Sequence, residues 1–193
     1  MDTNDGSQKK LMGWKRLSSR TVFDNPWMTV HEDHVINPGG GENQYGWVHF
    51  KNVAVAVVPI DADGDTWLVG QSRYTLGERT WEVPMGGSPA GESRLASAAR
   101  ELREETGLSA QRFTELMKAH PSNSITDEVG YLYLAEGLTA GDAQPEEMED
   151  LTIRKLPLGE AVAMVYRGEI TDALSALALL RARDFLRERN AAE

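Results

Sequence analysis

Between Gly86 and Leu108, glutamate and arginine recur at intervals that suit a helix. The stretch reads Gly86, five residues, Glu92, seven residues, then Arg100-Glu101-Leu102-Arg103-Glu104-Glu105-Thr106-Gly107-Leu108. Residues three and four apart are neighbours on a helix surface. Glu101, Glu104 and Glu105 therefore crowd one side of a helix over residues 93–106, with Leu95, Ala96, Ala99 and Leu102 on its apolar side. Gly107 is placed to stop it in the left-handed conformation. Like charges at this spacing cost about 0.2–0.5 kcal/mol per pair, and Arg100 and Arg103 offset only part of that. A hard divalent cation removes the penalty. Clusters of oxygen donors suit Mg2+, with Mn2+ as the alternative.

The rest of the chain reads as strands interleaved with helices. Residues 53–58 are continuously apolar up to Pro59, the pattern of a strand buried on both faces. An Asp-rich loop at 61–65 leads into a partner strand at 66–71. That loop lacks the length and terminal Glu of a calcium-binding EF-hand, so it reads as a turn. Residues 129–134 form another strand, and 137–150 an acidic loop. Helices at 159–167 and 172–189 follow. In the second, Leu174, Leu177, Leu180 and Leu186 recur at helical spacing, as for a core or dimer face. This order predicts an α/β fold with a mixed sheet between helices.

Two domains are expected, 1–50 and 51–193. Residues 1–10 are polar and expected to be disordered. Strand-like segments at 21–23, 27–31 and 45–50, with a turn at 37–41, predict a small antiparallel sheet. A sheet of about forty residues buries little surface alone, so it needs the main domain or a second subunit. Together with the Trp residues of this segment and the Leu-rich last helix, this predicts a homodimer.

Charge narrows the partners. The 193 residues carry a formal net charge of -10. Such a protein does not attract phosphate backbones in bulk, so nucleic acid is not expected. An anionic substrate must be held locally, by Arg or Lys, by a metal, or by a helix N-terminus. Cysteine is absent, which removes disulfides and thiolate metal sites. The first twenty residues have no apolar signal core, and no apolar run approaches the ~20 residues that span a bilayer. A cytoplasmic protein without membrane attachment is expected.

The stretch from Gly86 to Leu108 resembles the Nudix box at every fixed position: Gly86, Glu92, Arg100, Glu101, Leu102, Glu104, Glu105, Gly107 and Leu108. The resemblance implies the family's α/β/α sandwich. It also implies metal-dependent hydrolysis of a nucleoside diphosphate linked to another group. Glu101 and Glu105 are then the foremost metal ligands, Glu104 lies beside them and holds or bridges a metal, and the Met85 carbonyl is a further ligand. Arg100 orients a glutamate. Glu92 taken alone is an acid near a helix N-terminus, which the helix dipole favours by about 0.3–1 kcal/mol.

Outside the box, residues 81–87 resemble the lead-in of ADP-ribose and nucleoside diphosphate sugar pyrophosphatases, with Gly86 at the substrate. Gln71-Ser72-Arg73-Tyr74 resembles that subgroup's preceding strand, which places Arg73 at the substrate phosphates. The acidic stretch 146–153 resembles the loop that supplies the subgroup's general base, with Glu147 and Glu149 in the matching positions. Residues 121–128 occupy the place of a Ser-Pro-Gly…Glu loop. Glu128 matches its Glu, whereas Asn123 and Ser124 stand where Pro and Gly are usual. Residues 168–174 resemble the subgroup's tail, with Leu174 in place of a common Lys. Trp14, Trp27, Trp47 and Tyr74 are candidates for stacking on a base. Trp47 stands where nucleotide-sugar relatives place a base contact. The four histidines show no metal-ligand spacing.

The substrate implied is a nucleoside diphosphate sugar, ADP-ribose foremost, cleaved to a nucleoside monophosphate and a sugar phosphate. The alternatives are GDP-mannose or another Nudix substrate such as a nucleoside triphosphate, and a non-catalytic ADP-ribose-binding module. The N-terminal sheet argues against a triphosphate, and the complete box argues against a binding module. The resemblance also implies a dimer, often one with exchanged N-terminal sheets.

Overall fold

The computed structural model describes residues 12–141 and 150–192. The expected disorder of residues 1–10 falls outside that range. The chain divides into two compact units, Met1–Lys51 with Ser124–Asp127, and Asn52–Asn123 with Glu128–Glu193.

The first unit is an antiparallel meander of β1 (Lys15–Asp24), β2 (Met28–Ile36) and β3 (Glu42–Phe50), in the order β1-β2-β3. Asn side chains set both turns. Asn25 Oδ1 accepts the backbone N–H groups of Trp27 and Met28. Asn37 Oδ1 accepts those of Gly39 and Gly41, with Gly40 between them at φ 89°. Every residue of β1 is exposed, including Leu17, Val22 and Phe23. Residues 124–127 belong to this unit through a bridge from Thr126 to Val48 and through Asp127, whose carboxylate holds His49 and the Phe50 N–H.

The second unit is an α/β/α sandwich. Its central mixed sheet has the order β7-β4-β9-β8, made of β7 (Met85–Ser88), β4 (Val53–Ile60), β9 (Gly130–Ala140) and β8 (Leu108–Ala119). The run at 53–58 does become a strand covered on both faces. Val55 and Val57 pack with Ala98 and Leu102 of α1 (Arg94–Thr106). Ala56 and Val58 pack with residues of α2 (Leu158–Tyr166) and α3 (Ala173–Ala192). Parallel pairing of β4 with β9 sets Leu132 beside Ala56 and Tyr133 beside Val57, which keeps each face in phase. A second sheet, β10-β5-β6, comprises β5 (Asp65–Arg73), β6 (Glu78–Glu82) and β10 (Thr152–Pro157).

The sequence pattern misses four of these strands: β6, β7, β8 and β10. In β8 a bulge between Glu115 and Met117 shifts the alternation midway, so a period of two never persists across the strand. The stretch expected as a loop from Gly137 begins as strand, because β9 runs to Ala140. The start of the box is the short strand β7.

Candidate active site

Helix α1 is built by its ends. Ser93 caps it, its hydroxyl accepting the Ala96 N–H at 3.2 Å. Gly107 ends it at φ 73°, and its N–H reaches the Arg103 carbonyl at 2.8 Å. Between these stops, Ala98 and Leu102 are buried against the sheet and the polar side turns toward β7.

That side is organised around Arg100. Its Nε donates to Glu92 Oε1 at 3.3 Å. Its Nη1 donates to Glu101 Oε1 at 2.8 Å and Glu104 Oε2 at 3.0 Å. Its Nη2 donates to the Gly87 carbonyl at 2.9 Å and Glu92 Oε2 at 3.1 Å. A guanidinium carries five N–H donors, so this arrangement uses the whole fork. The carboxylates, Glu92 first, hold the Arg100 pKa above its ordinary value. The same contact with Arg100, aided by Ser97, holds the Glu92 carboxyl below the usual range. Glu92 precedes the cap residue of α1, so its main partners are side chains rather than the helix dipole.

The remaining box acids meet β7. Glu105 is buried, and its Oε2 accepts the Met85 N–H at 3.0 Å. The Glu101 carboxylate lies so close to Gly86 that a Cβ there would overlap it. Met85, Gly86, Glu101 and Glu105 are thus brought together, with Glu104 joined to them through Arg100. Among the described residues, no three acidic or histidine side chains stand close enough to grip a metal as they are. The donor set nevertheless fits a hard divalent cation. It offers only oxygens, on one helix face, over a glycine that leaves the Glu101 carboxylate its space.

Arg73, at the end of β5, is bound to Glu82 of β6. Its Nε donates to Glu82 Oε1 at 2.8 Å, and Nη2 makes a shorter contact with Oε2. The Thr80 hydroxyl donates to the same carboxylate at 2.6 Å. Glu82 is the chief reason the Arg73 pKa is raised, and the fields of Asp172 and Glu105 add to it. Arg73, Thr80, Glu82 and Asp172 line a cavity of about 330 Å3. Asp172 also begins α3, its Oδ2 accepting the Ser175 N–H at 2.7 Å. Burial, with repulsion from Asp172, raises the Glu128 pKa. Arg73, Glu105, Glu128 and Asp172 therefore share one electrostatic neighbourhood. Sequence reasoning missed Asp172 and gave Glu82 no role. The signal for Glu82 was a carboxylate in a segment headed for burial, which demands a cation partner.

Trp47 belongs to the N-terminal unit. It stacks on His31 with ring centroids 4.5 Å apart, and its Nε1 donates to Asp33 at 3.0 Å. Glu147 and Glu149, the expected general bases, lie outside the described residues.

Two family models match the chain. One, described as the nucleoside diphosphate sugar hydrolase N-terminal domain, matches residues 14–48. The other, the NUDIX domain, matches residues 50–174. An ADP-ribose pyrophosphatase of Mycobacterium tuberculosis is 37% identical over 172 residues, covering 86% of this chain and 82% of the relative. An ADP-ribose pyrophosphatase of Bacillus subtilis is 29% identical over 172 residues, covering 88% and 92%. A crystal structure of an ADP compounds hydrolase superimposes with a TM-score of 0.83 at 24% identity, over 94% of this chain and 98% of that one.

Proposed function

The chain belongs to the NUDIX domain family, and from that premise we propose that it hydrolyses the pyrophosphate bond of nucleoside diphosphate sugars, ADP-ribose foremost. The products are a nucleoside monophosphate and a sugar phosphate. The observation that carries this reading is the gathering of the box acids between α1 and β7, where Arg100 holds Glu92, Glu101 and Glu104 and Glu105 accepts the Met85 N–H.

Glu101, Glu104 and Glu105, with the Met85 carbonyl, would hold the divalent cation, Mg2+ with Mn2+ as the alternative. When bound, such a cation neutralises phosphoryl charge and makes water more acidic. The chain's own residues do the rest. Arg73 sets a fixed positive charge beside the cavity for the substrate phosphates. Glu82 keeps its planar fork in one orientation. Gly86 leaves the phosphate and the carboxylates room to approach. Glu128 contacts the substrate from the neighbouring loop, and Trp47 supplies an aromatic face for the base. Water attacks phosphorus, the bridging P–O bond breaks, and the water proton passes to Glu147 or Glu149 as general base.

We further propose a homodimer joined through the N-terminal unit. Leu17, Val22, Phe23 and Trp27 are exposed there on and beside a fully exposed edge strand. Such a surface favours a partner. Among the described residues no helix is long and apolar enough to cross a membrane, and a cytoplasmic location is part of the same proposal.

The test is phosphate release, with a coupled phosphatase, from ADP-ribose, GDP-mannose, ADP-glucose, UDP-glucose and dGTP with Mg2+. Glu105→Gln, Glu147→Gln and Glu149→Gln are assayed alongside. Cleavage of diphosphate sugars, lost in Glu105→Gln and in one of the other two, is the expected result. Cleavage of dGTP alone would reject the substrate class. Tight ADP-ribose binding without turnover would reject the enzyme reading.

A further inference from the structure

We infer that Ser97, backed by Ser88, is a positioning residue that fixes Glu92 and, through Glu92, the grip of Arg100 on Glu101 and Glu104. The inference rests on the box acids being the working centre of the proposed hydrolase.

Ser97 and Ser88 are buried hydroxyls, 0% and 5% exposed. Ser97 Oγ lies 2.8 Å from Ser88 Oγ and 2.8 Å from Glu92 Oε2. It lies further, at 3.3 Å, from the Ser93 carbonyl, the usual local acceptor for a serine inside a helix. A serine hydroxyl has one proton, and an ionised carboxylate only accepts. Ser97 therefore donates to Glu92, and Ser88 donates to Ser97. The direction of this chain is fixed by the charge at its end, and each bond polarises the next.

Glu92 needs such a tether. It precedes α1, in the turn after Gly91 at φ 94°, so the helix does not set its position. Yet it accepts both Nε and Nη2 of Arg100. Those two bonds orient the guanidinium plane. The plane in turn fixes Nη1, the nitrogen that holds Glu101 and Glu104. Ser97 stands one turn before Arg100 on the same helix and joins the loop acid to the helix frame. Removing its hydroxyl loosens Glu92 and leaves the Ser88 hydroxyl without its acceptor. The two acids that Arg100 apportions then lose their common orientation.

The experiment compares Ser97→Ala, Glu92→Gln and the double variant. Mn2+ affinity is read by electron paramagnetic resonance on the protein alone, and kcat and KM on the cleaved diphosphate sugar. Ser97→Ala should weaken Mn2+ binding about 3- to 10-fold and lower kcat about 5- to 10-fold, as partners behind a metal site do. KM should stay within about twofold. In the Glu92→Gln background the same change should add less than about twofold, because residues acting through one another are not additive. Full additivity of the two single losses overturns the inference. So does unchanged Mn2+ affinity in Ser97→Ala with a normal melting temperature. Should Ser97→Ala fail to accumulate, Ser88→Ala removes the hydroxyl behind it and carries the same cycle and the same two outcomes. The Mn2+ arm needs no substrate, so it decides the point even if the wild-type protein cleaves none of the diphosphate sugars.

Discussion

No side chain can stand at residue 86 while Glu101 keeps its place, because a Cβ on Gly86 would overlap the Glu101 carboxylate. The two residues come from different elements, β7 and α1, yet their contact sets how near a box acid lies to the strand. The atoms in the way are the far end of a flexible side chain, so the strand would stay and the carboxylate would swing out. Gly86→Ala should therefore cost activity and little stability. We expect turnover to fall about 100-fold, equivalent to roughly 2.7 kcal/mol of barrier, with a melting temperature within about 2 °C of the parent. Gly130→Ala is the contrast. Its Cβ would come 2.6 Å from Leu174 in the packed core, and overpacking there should cost about 1–3 kcal/mol of stability. Parallel assays and thermal melts separate the two.

Arg100 tests whether geometry or charge matters. Lysine keeps the charge, but an ammonium has three donors in place of five and no plane. It cannot serve Glu92, Glu101, Glu104 and the Gly87 carbonyl together. Arg100→Lys should lower kcat/KM about 10- to 100-fold, the range seen when residues that orient metal ligands are changed. Full activity in the lysine variant would show that charge alone suffices.

How much of this was readable in the chain differs by element. The box helix and its stop were legible because glutamate spacing and Gly107 are local signals. The strand at 53–58 was legible because burial on both faces leaves an unbroken apolar run. Strand β8 was not, since its bulge breaks the alternation. The link between Arg73 and Glu82 was hidden for another reason. It depends on how β5 registers on β6, and one sequence carries no direct signal for strand register. Ser88 and Ser97 look like surface residues in any hydropathy reading. Only the packed structure shows Ser97 as a buried partner of Glu92, with the buried Ser88 behind it.

The Arg73–Glu82 pair separates binding from folding. Glu82 is 2% exposed, so Arg73→Ala would leave a buried carboxylate with a hydroxyl as its remaining polar partner in this trio. Breaking a buried pair from one side costs about 3–5 kcal/mol. The Arg73 side chain is 38% exposed, and water there moves the expectation to the lower end, about 3 kcal/mol. For a chain of this size that is a fall of roughly 6–12 °C in melting temperature. Replacing both residues by methionine should restore most of the stability, as it does when buried ion pairs become apolar. If activity returns with the fold, the pair is structural. If KM stays high while the fold recovers, Arg73 holds the substrate phosphates.

Two glutamates should respond to pH in opposite directions. Arg189 and then Arg112 hold the Glu136 carboxyl below its usual range, at 2.9 Å each, joining β9 to α3 and β8. Its folded pKa lies below the unfolded value of about 4.3. The stability it contributes is complete above that value and is lost as pH falls through the folded pKa. Glu136→Gln should thus lower the melting temperature at pH 7, and the gap should close between about pH 5 and pH 3. Glu128 is the reverse case. Burial and then Asp172 raise its pKa, so the folded state favours the protonated acid and loses stability as pH rises from about 4.3 through the raised value. Glu128→Gln should therefore melt higher than the parent at pH 7 and level with it near pH 4. A variant that gains stability while KM for the diphosphate sugar rises would mark Glu128 as an acid kept ionised against the interests of the fold, which is what a substrate contact requires. A melting temperature that falls at pH 7 would reject that account.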